Sequence, residues 1–484
     1  MYGSWLVWAL VLLIVVVVVV TLRNVLVLKF GALSAIPQIG KGSRELYGVR
    51  LLQNISLNSG DCDAYKVAAD LADIADSLPG VFVLPGSLLS RERIIITSPS
   101  AIRKITTDDV FDKPGFVKTT LGGTFGSDSM LFAIGTKHRR LRKVAVDLIH
   151  QETLHKSAGA FFRAGRRLAE TWSSAKPPVE AHIENMNTTL GVITESLFSW
   201  DIPERTRLHN LYVAMFLEEA PSPLDLLTGY ILPYGPLLIG YRNARAAREV
   251  LCSVIEERRR NRNPSRADLL EQLLSALDAG MVDIDELVSQ VQTLYVAGFS
   301  TTAIWLSWSM YYLASSPKWQ EKVRTEIASI DNIQDDNERL SRLDSLPLLH
   351  AVTKEVLRLH PPITDTLRQN SSDVCIDGFR IPKGTLLRIP IGSVHRMERF
   401  WGTTANEFDP ARHLNLNGNG SASGLWLPFL TGPHACIGGH YARLEVKAIL
   451  SELVRKVSLC DPRMGICRTT LGNPSNFSLR ADSL

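Results

Sequence analysis

The stretch Pro428 to Glu445, Pro-Phe-Leu-Thr-Gly-Pro-His-Ala-Cys-Ile-Gly-Gly-His-Tyr-Ala-Arg-Leu-Glu, constrains this chain more than any other. Cys436 lies between Gly432 and Gly438. An apolar run with helical spacing follows through Tyr441, Leu444, Ala448, Leu450, Leu453 and Val454, and predicts a helix. Cys436 is thereby placed on a glycine-bent loop just ahead of a helix N-terminus. Free backbone N–H groups and the positive dipole end favour thiolate over thiol there. Glycines also let a flat ligand approach the backbone closely. A lone cysteine is more often a small buried hydrophobe, so this residue takes its meaning from its surroundings.

Those surroundings are specific. Phe429, Gly432, His434, Cys436 and Gly438 resemble the haem-binding signature of the cytochrome P-450 family, Phe-x-x-Gly-x-Arg/His-x-Cys-x-Gly. Ala442 and Glu445 match its continuation. The resemblance implies haem b with Cys436 as the axial thiolate on iron and with Phe429, His434 and Gly438 around the cofactor. Hydrogen bonds to the sulfur would tune the metal.

Three further matches lie upstream. Glu286 to Leu313 has the pattern of a long helix and contains Ala297-Gly298-Phe299-Ser300-Thr301-Thr302. Small residues inside a helix cost propensity. They let a flat ligand lie against it, and Thr301 can bend the backbone hydrogen bonding. Tight helix packing explains such a stretch equally well when it stands alone. Beside Cys436 it resembles the family's oxygen-binding motif, with Ala297 and Gly298 against the cofactor and Thr301 as the catalytic hydroxyl. Ser300 stands where the family has an acid, and a Thr301–Ser300–water chain is the expected proton route.

Glu355-Val-Leu-Arg358 ends a helix closed by Pro361 and Pro362. Alone, the pair is a surface ion pair of little worth. It also matches the family's Glu-x-x-Arg, with Arg412 of Phe408-Asp-Pro-Ala-Arg as third member of a structural triad. Gly135 to Ile149 reads as a helix with a basic face of His138, Arg139, Arg140, Arg142 and Lys143. A solvated face is the ordinary explanation. His138-x-x-x-Arg142 resembles the family's Trp-x-x-x-Arg, which implies that Arg142 and His138 hold haem propionates. Arg368 and His434 are the other propionate candidates. The remaining cations on the helix would face an acidic reductase.

Elsewhere the signals are structural. Phe82–Leu84 and Ile94–Thr97 are β-rich runs around a Pro-Gly-Ser turn, and Ser98-Pro99 opens a short helix. Asp377 to Thr385 reads as a hairpin. Residues 113 to 134, with five glycines or prolines among large apolar side chains, read as a loop; the resemblance implies that it lies over the haem and contacts substrate, and ordinary packing on the core is the alternative. Residues 161 to 257 are mostly helical, interrupted by the proline-rich apolar segment from Ala220 to Gly240. That segment is either core or a dip into a bilayer. Arg258-Arg259-Arg260 reads as helix-end charge. Gly472 to Leu479 resembles a terminal turn that touches substrate.

Ser4 to Leu22 is uncharged and, apart from Ser4 and Thr21, apolar, long enough to cross a bilayer as a helix. A cleaved signal peptide is the alternative, with Ala32-Leu33-Ser34 as its cleavage-like site. Arg23, Lys29, Lys41 and Arg44 follow the run and no basic residue precedes it, which places the body of the chain in the cytoplasm. Six scattered cysteines fit that reduced compartment, and five Asn-x-Ser/Thr sequons would stay unmodified there. A net charge of +4 gives no argument for nucleic acid. The expected organisation is an anchor over 1–24, a linker over 25–60 and a catalytic domain over 61–484. Resemblance to eukaryotic members places the anchor in the endoplasmic reticulum membrane, single-pass.

The fold class implied is mainly α, with a small β-sheet region. The activity implied is monooxygenation of a lipophilic substrate such as a terpenoid, sterol, fatty acid or other secondary metabolite. No flavin or nicotinamide motif is present, so electrons would come from NADPH through a separate cytochrome reductase, with cytochrome b5 as a second candidate partner. Two alternatives stay open: a haem-thiolate isomerase or dehydratase without net oxygenation, made thinkable by Ser300, and a haem-binding sensor that is no enzyme.

Overall fold

The computed structural model describes residues 33, 35–38, 64–84, 93–148, 151–174, 178–199, 206–208, 210–212, 239–263, 268–414, 425–463 and 477–483. The expected anchor, nearly all of the linker, the Pro-Gly-Ser turn, almost all of Ala220–Gly240 and most of the terminal turn lie outside the described residues. Among the described residues no helix is long and apolar enough to cross a membrane.

The long helix expected around Thr301 runs Ile284–Ser315. Its start is fixed by a capping box: Asp283 accepts from the Glu286 N–H at 2.8 Å and Glu286 accepts from the Asp283 N–H at 3.1 Å. It is buried on nearly every side by Ala181–Ile193, Ile239–Arg260, Pro347–Leu359 and Gly439–Lys456. That burial explains why its sequence is apolar all round. A second packed pair, Gln151–Ser174 against Gly439–Lys456, completes the helical core.

The first of the small sheets and the hairpin sit on an apolar cluster of their own, whereas the second sheet packs on the helical core. Strands β1 (Val81–Leu84), β2 (Arg93–Ile96), β3 (Phe111–Asp112), β5 (Thr366–Asn370) and β8 (Leu386–Ile389) form one sheet in the order β1-β2-β8-β5-β3. Only β2 and β8 pair in parallel. Strand β4 (Val179–Glu180) joins β9 (Val457–Arg463) and β10 (Ser478–Ser483) in a second sheet. The expected hairpin is β6 (Val374–Ile376) with β7 (Phe379–Ile381). Its turn residues Asp377 and Gly378 both take positive φ, the geometry that suits the twist of a two-residue hairpin loop.

One expectation fails. Residues 113–134 do not form a plain loop, because Gly115–Phe125 is helical despite Gly122 and Gly123. The long helix supplies what propensity lacks. Gln292 Nε2 donates to the carbonyls of Gly123 (2.6 Å) and Thr124 (3.0 Å), capping the last turn, and Thr293 donates to the Phe125 carbonyl. Gly126 then reverses the chain at φ 80°, where an added Cβ would lie 2.5 Å from the Ser289 carbonyl oxygen.

Candidate active site

The cysteine loop is built by backbone constraints. Leu430 takes φ 55° and Gly432 φ 77°, so the chain turns sharply twice before the cysteine. A Cβ on Gly432 would meet the Thr106 carbonyl oxygen at 2.2 Å, which leaves only glycine possible there. The Cys436 N–H donates to the Phe429 carbonyl at 2.8 Å and closes the loop. The expected helix starts at Gly439. Backbone N–H groups of Gly438 and Gly439 point at the Cys436 sulfur. Burial pushes the thiol up, and these two N–H groups with the Arg142 charge oppose it.

Cys436 is solvent-accessible and yet strongly desolvated. Both hold when a side chain lines an internal cleft: a probe reaches it, but protein surrounds it. Lys113 combines the same properties. The long helix marks the opposite wall. Between Glu286 and Met310 every residue is buried except Ala297, Gly298 and Thr301, which share one helix face. The three accessible positions are three of the four singled out in the sequence, and Ser300 is the exception. Ser300 lies off that face, is 3% exposed, and donates to the Val296 carbonyl at 3.0 Å. Thr301 likewise donates to Ala297, at 2.7 Å.

Five basic side chains converge beside the cysteine loop. The rings of His138 and His434 lie 4.0 Å apart, tilted by 34°. Arg142 Nη1 donates to the Ala435 carbonyl at 2.8 Å, immediately before the cysteine. Arg368, 2% exposed, donates to Thr366 Oγ1 and the Leu367 carbonyl. Lys113 Nζ donates to the Leu131 carbonyl at 2.5 Å. Burial, then the neighbouring Arg142 and Lys113, lower His138 to about 4. Burial, then His138, Lys113, Arg368 and Arg142, lower His434 to about 3. Burial and Arg368 pull Lys113 down to about 7. Such mutual repulsion is relieved by an anion bound among these groups.

Lys113 was not visible as a site residue in the sequence, since Phe-Asp-Lys-Pro carries no distinctive spacing. Only the pairing of β3 with β5 brings it near Arg368. The remaining cations of the helix Gly135–Leu148 are less free than expected for a docking face. Arg140 makes two hydrogen bonds to Glu286, at 2.9 and 2.7 Å, and Lys137 lies 3.2 Å from the same carboxylate, holding it at about 2. Arg139 pairs with Asp109.

The Glu355 cluster is buried and larger than a triad. Glu355 and Arg358 both have fully buried side chains and form a two-pronged pair at 2.8 Å. Arg412 Nε adds a bond at 2.9 Å, His413 Nε2 one at 2.8 Å and the Asp409 N–H one at 3.0 Å. Arg358 also donates to the carbonyls of His395, Ala405 and Glu407. His413, the next residue after Arg412, escaped the sequence reading. The cluster thus ties the helix Pro347–Leu359 to the segment that leads into the cysteine loop.

Residues 84–479 match the family model for cytochrome P-450, and the chain belongs to that family. It is similar to the cytochrome P-450 monooxygenase buaD of Petromyces alliaceus, with 26% identity over 77% of this chain and 75% of the relative. The cytochrome P-450 monooxygenase claO of Ampulloclitocybe clavipes is 28% identical over 79% of this chain and 80% of its own. A cytokinin hydroxylase of Arabidopsis thaliana is 35% identical over 40% of this chain and 37% of its own. Membership makes the chain an oxidoreductase of mainly helical fold and implies haem with a cysteine thiolate ligand. The residues brought together fit such a group: a sulfur facing two N–H donors, an accessible small-residue helix face, and a cationic cluster suited to two carboxylates.

Proposed function

We propose that this chain is a haem-thiolate monooxygenase that inserts one oxygen atom of dioxygen into a lipophilic substrate, with Cys436 as axial ligand. The observation that carries the reading is the coincidence of Cys436, the Ala297–Gly298–Thr301 face and the five-cation cluster. The bound haem supplies the oxygen activation. The chain's residues do the rest. The Gly438 and Gly439 N–H groups hold negative charge on sulfur. Lys113, His138, Arg142, Arg368 and His434 hold the propionates. Ala297 and Gly298 leave room against the helix, and the Thr301 hydroxyl receives and passes protons. Phe429 packs edge-to-face with Trp305 and fixes the loop beneath.

The substrate is proposed to be a lipophilic organic molecule such as a terpenoid, sterol, fatty acid or other secondary metabolite. Electrons are proposed to come from NADPH through a separate cytochrome reductase, with cytochrome b5 as a second donor. The apolar run Ser4–Leu22 is proposed to anchor the chain in the endoplasmic reticulum, with residues 61–484 catalytic on the cytoplasmic side. Turnover with isotope-labelled dioxygen, NADPH and reductase tests the reaction: one labelled atom in product supports it. Ser300, buried and bonded to Val296, favours a second reading, rearrangement without oxygenation. Product lacking label would select that one.

A further inference from the structure

The helix Ala181–Ile193 packs along the long helix and comes close to it at the small-residue stretch. A Cβ on Gly298 would lie 2.7 Å from Ile193 Cδ1 and 3.2 Å from its Cγ1. Gly298 is therefore bare on the side that meets Ile193, and its backbone borders the cleft at the edge of the Ala297–Thr301 face. Ile193 is 1% exposed. Its β-branch holds χ1, and the packed core around it resists a swing of Cδ1. One residue further on, the Thr189 hydroxyl bridges its own Asn185 carbonyl, at 3.0 Å, and the Phe299 carbonyl of the long helix, at 3.1 Å.

Directly after Ile193 the helix widens into a π-helical turn, Thr194–Phe198, which ends at Ser199 with φ 47°. Such turns are rare and recur at functional sites, and a positive φ is uncommon for serine. The turn is held from outside: Arg258, itself paired with Asp268 at 2.7 Å, donates to the Phe198 carbonyl at 2.9 Å. Within the turn, Ser196 donates to the Val192 carbonyl at 2.6 Å, which uses its one proton. The Ser196 oxygen then accepts from the Tyr441 hydroxyl bonded to it. Tyr441 is buried in the first turn of the helix Gly439–Lys456, just beyond Cys436, and Ser157 makes a second side-chain hydrogen bond to its phenol. One turn thus touches both walls of the cleft. Burying a phenol and a serine costs desolvation that phenylalanine and alanine would avoid. What the pair adds is direction, since a satisfied buried hydrogen bond specifies one geometry.

We propose that Ile193 and Ser196 are positioning residues which, through the π-helical turn that joins them, set the spacing between the Gly298–Thr301 face and the Cys436 loop. This rests on the haem-thiolate reading above. A flat cofactor held between two walls depends on their separation, and a misplacement of ~1 Å costs on the order of 10²-fold in rate. Ile193 abuts the helix that carries Thr301, and Ser196 holds the helix that follows the cysteine loop. The methyl of an alanine at position 298 would meet Ile193 Cδ1 and push the long helix toward the cleft. Loss of the Ser196–Tyr441 bond would loosen the other wall.

The test uses the haem-loaded full chain. Gly298→Ala should lower haem per polypeptide or, where haem is held, speed the reoxidation in air of the dithionite-reduced protein several-fold. Ile193→Val deletes Cδ1, the atom in the way, so Gly298→Ala with Ile193→Val should recover most of either loss. Tyr441→Phe and Ser196→Ala should each speed the decay of the red-shifted carbon-monoxide band in dilute urea several-fold. The two together should do no more than either alone, because the same bond is lost. Wild-type behaviour of Gly298→Ala, or a loss that Ile193→Val leaves in place, overturns the proposal. So does an unchanged decay in Tyr441→Phe and Ser196→Ala, or a decay that adds between them. Each of these results, with a normal carbon-monoxide band in wild type, leaves the haem reading intact. Absence of that band in wild type removes both.

Discussion

Replacing Glu355 by alanine tests how the cysteine loop is held. Burial alone would raise this carboxyl, but hydrogen bonds from Arg358 and His413, with their charges, hold it at about 2 against an ordinary 4.5. That difference corresponds to roughly 3 kcal/mol, at ~1.36 kcal/mol for each pKa unit. Breaking a buried ion pair by removing one partner costs ~3–5 kcal/mol. A domain's whole stability is ~5–15 kcal/mol, and the loss is therefore a large share of it. The sign with pH follows. A carboxyl lowered on folding contributes stability that is complete above its unfolded value, near 4.5, and is lost as pH falls toward about 2. Glu355→Ala and Arg358→Ala should each reduce haem per polypeptide and lower the urea midpoint. The haem that remains should keep its spectrum, because neither residue touches the cofactor cleft. Wild-type stability should fall in acid from about pH 4.5 downward, and Glu355→Ala should lack this carboxyl's share of that fall. Full haem content and an unchanged urea midpoint in both variants would refute the argument and make the cluster energetically idle.

Three other outcomes are expected. Thr301→Ala should raise hydrogen peroxide released per NADPH consumed and lower product, since a general acid–base group contributes ~10²–10⁴-fold. Ser300→Ala should have a much weaker effect, because its hydroxyl is bonded to Val296 off the accessible face; equal uncoupling in both would contradict that placement. Lys113→Met should weaken haem capture more at pH 6 than at pH 8, because an amine titrating at about 7 is charged only on the acid side. A titration of apoprotein with haem reads it, and pH-independent loss would show a packing role instead. Deleting residues 1–24 should release the chain from membranes at least in part on fractionation. Wild type already recovered in the soluble fraction would sink the anchor.

The sequence carried the axial loop, the long helix and the Glu355–Arg358 pair because each depends on local spacing. Cys436 needs its glycines within a few residues, and Glu355 and Arg358 are neighbours on one helix turn. The helix Gly115–Phe125 was hidden because tertiary contacts outweigh its glycines: Gln292 and Thr293 cap it from a distant segment. Lys113 was hidden for the same reason, since its neighbours come from β5, the basic helix and the cysteine loop. The capping box of Asp283 and Glu286 escaped the sequence reading although its spacing is local, and its second use, with Glu286 as the partner of Arg140 and Lys137, depends on how two helices meet. Ser300 shows the reverse. Its identity suggested a proton relay, while its position on the helix turns it away from Thr301's face.

The central claim is that Cys436 is the thiolate ligand of a haem iron. The most direct measurement is the absorption spectrum of the reduced, carbon-monoxide-bound protein, wild type beside Cys436→Ser. The account predicts the red-shifted Soret band that gives the family its name in wild type and its complete loss in the variant, with haem still detectable. A band that survives in Cys436→Ser would contradict the assignment.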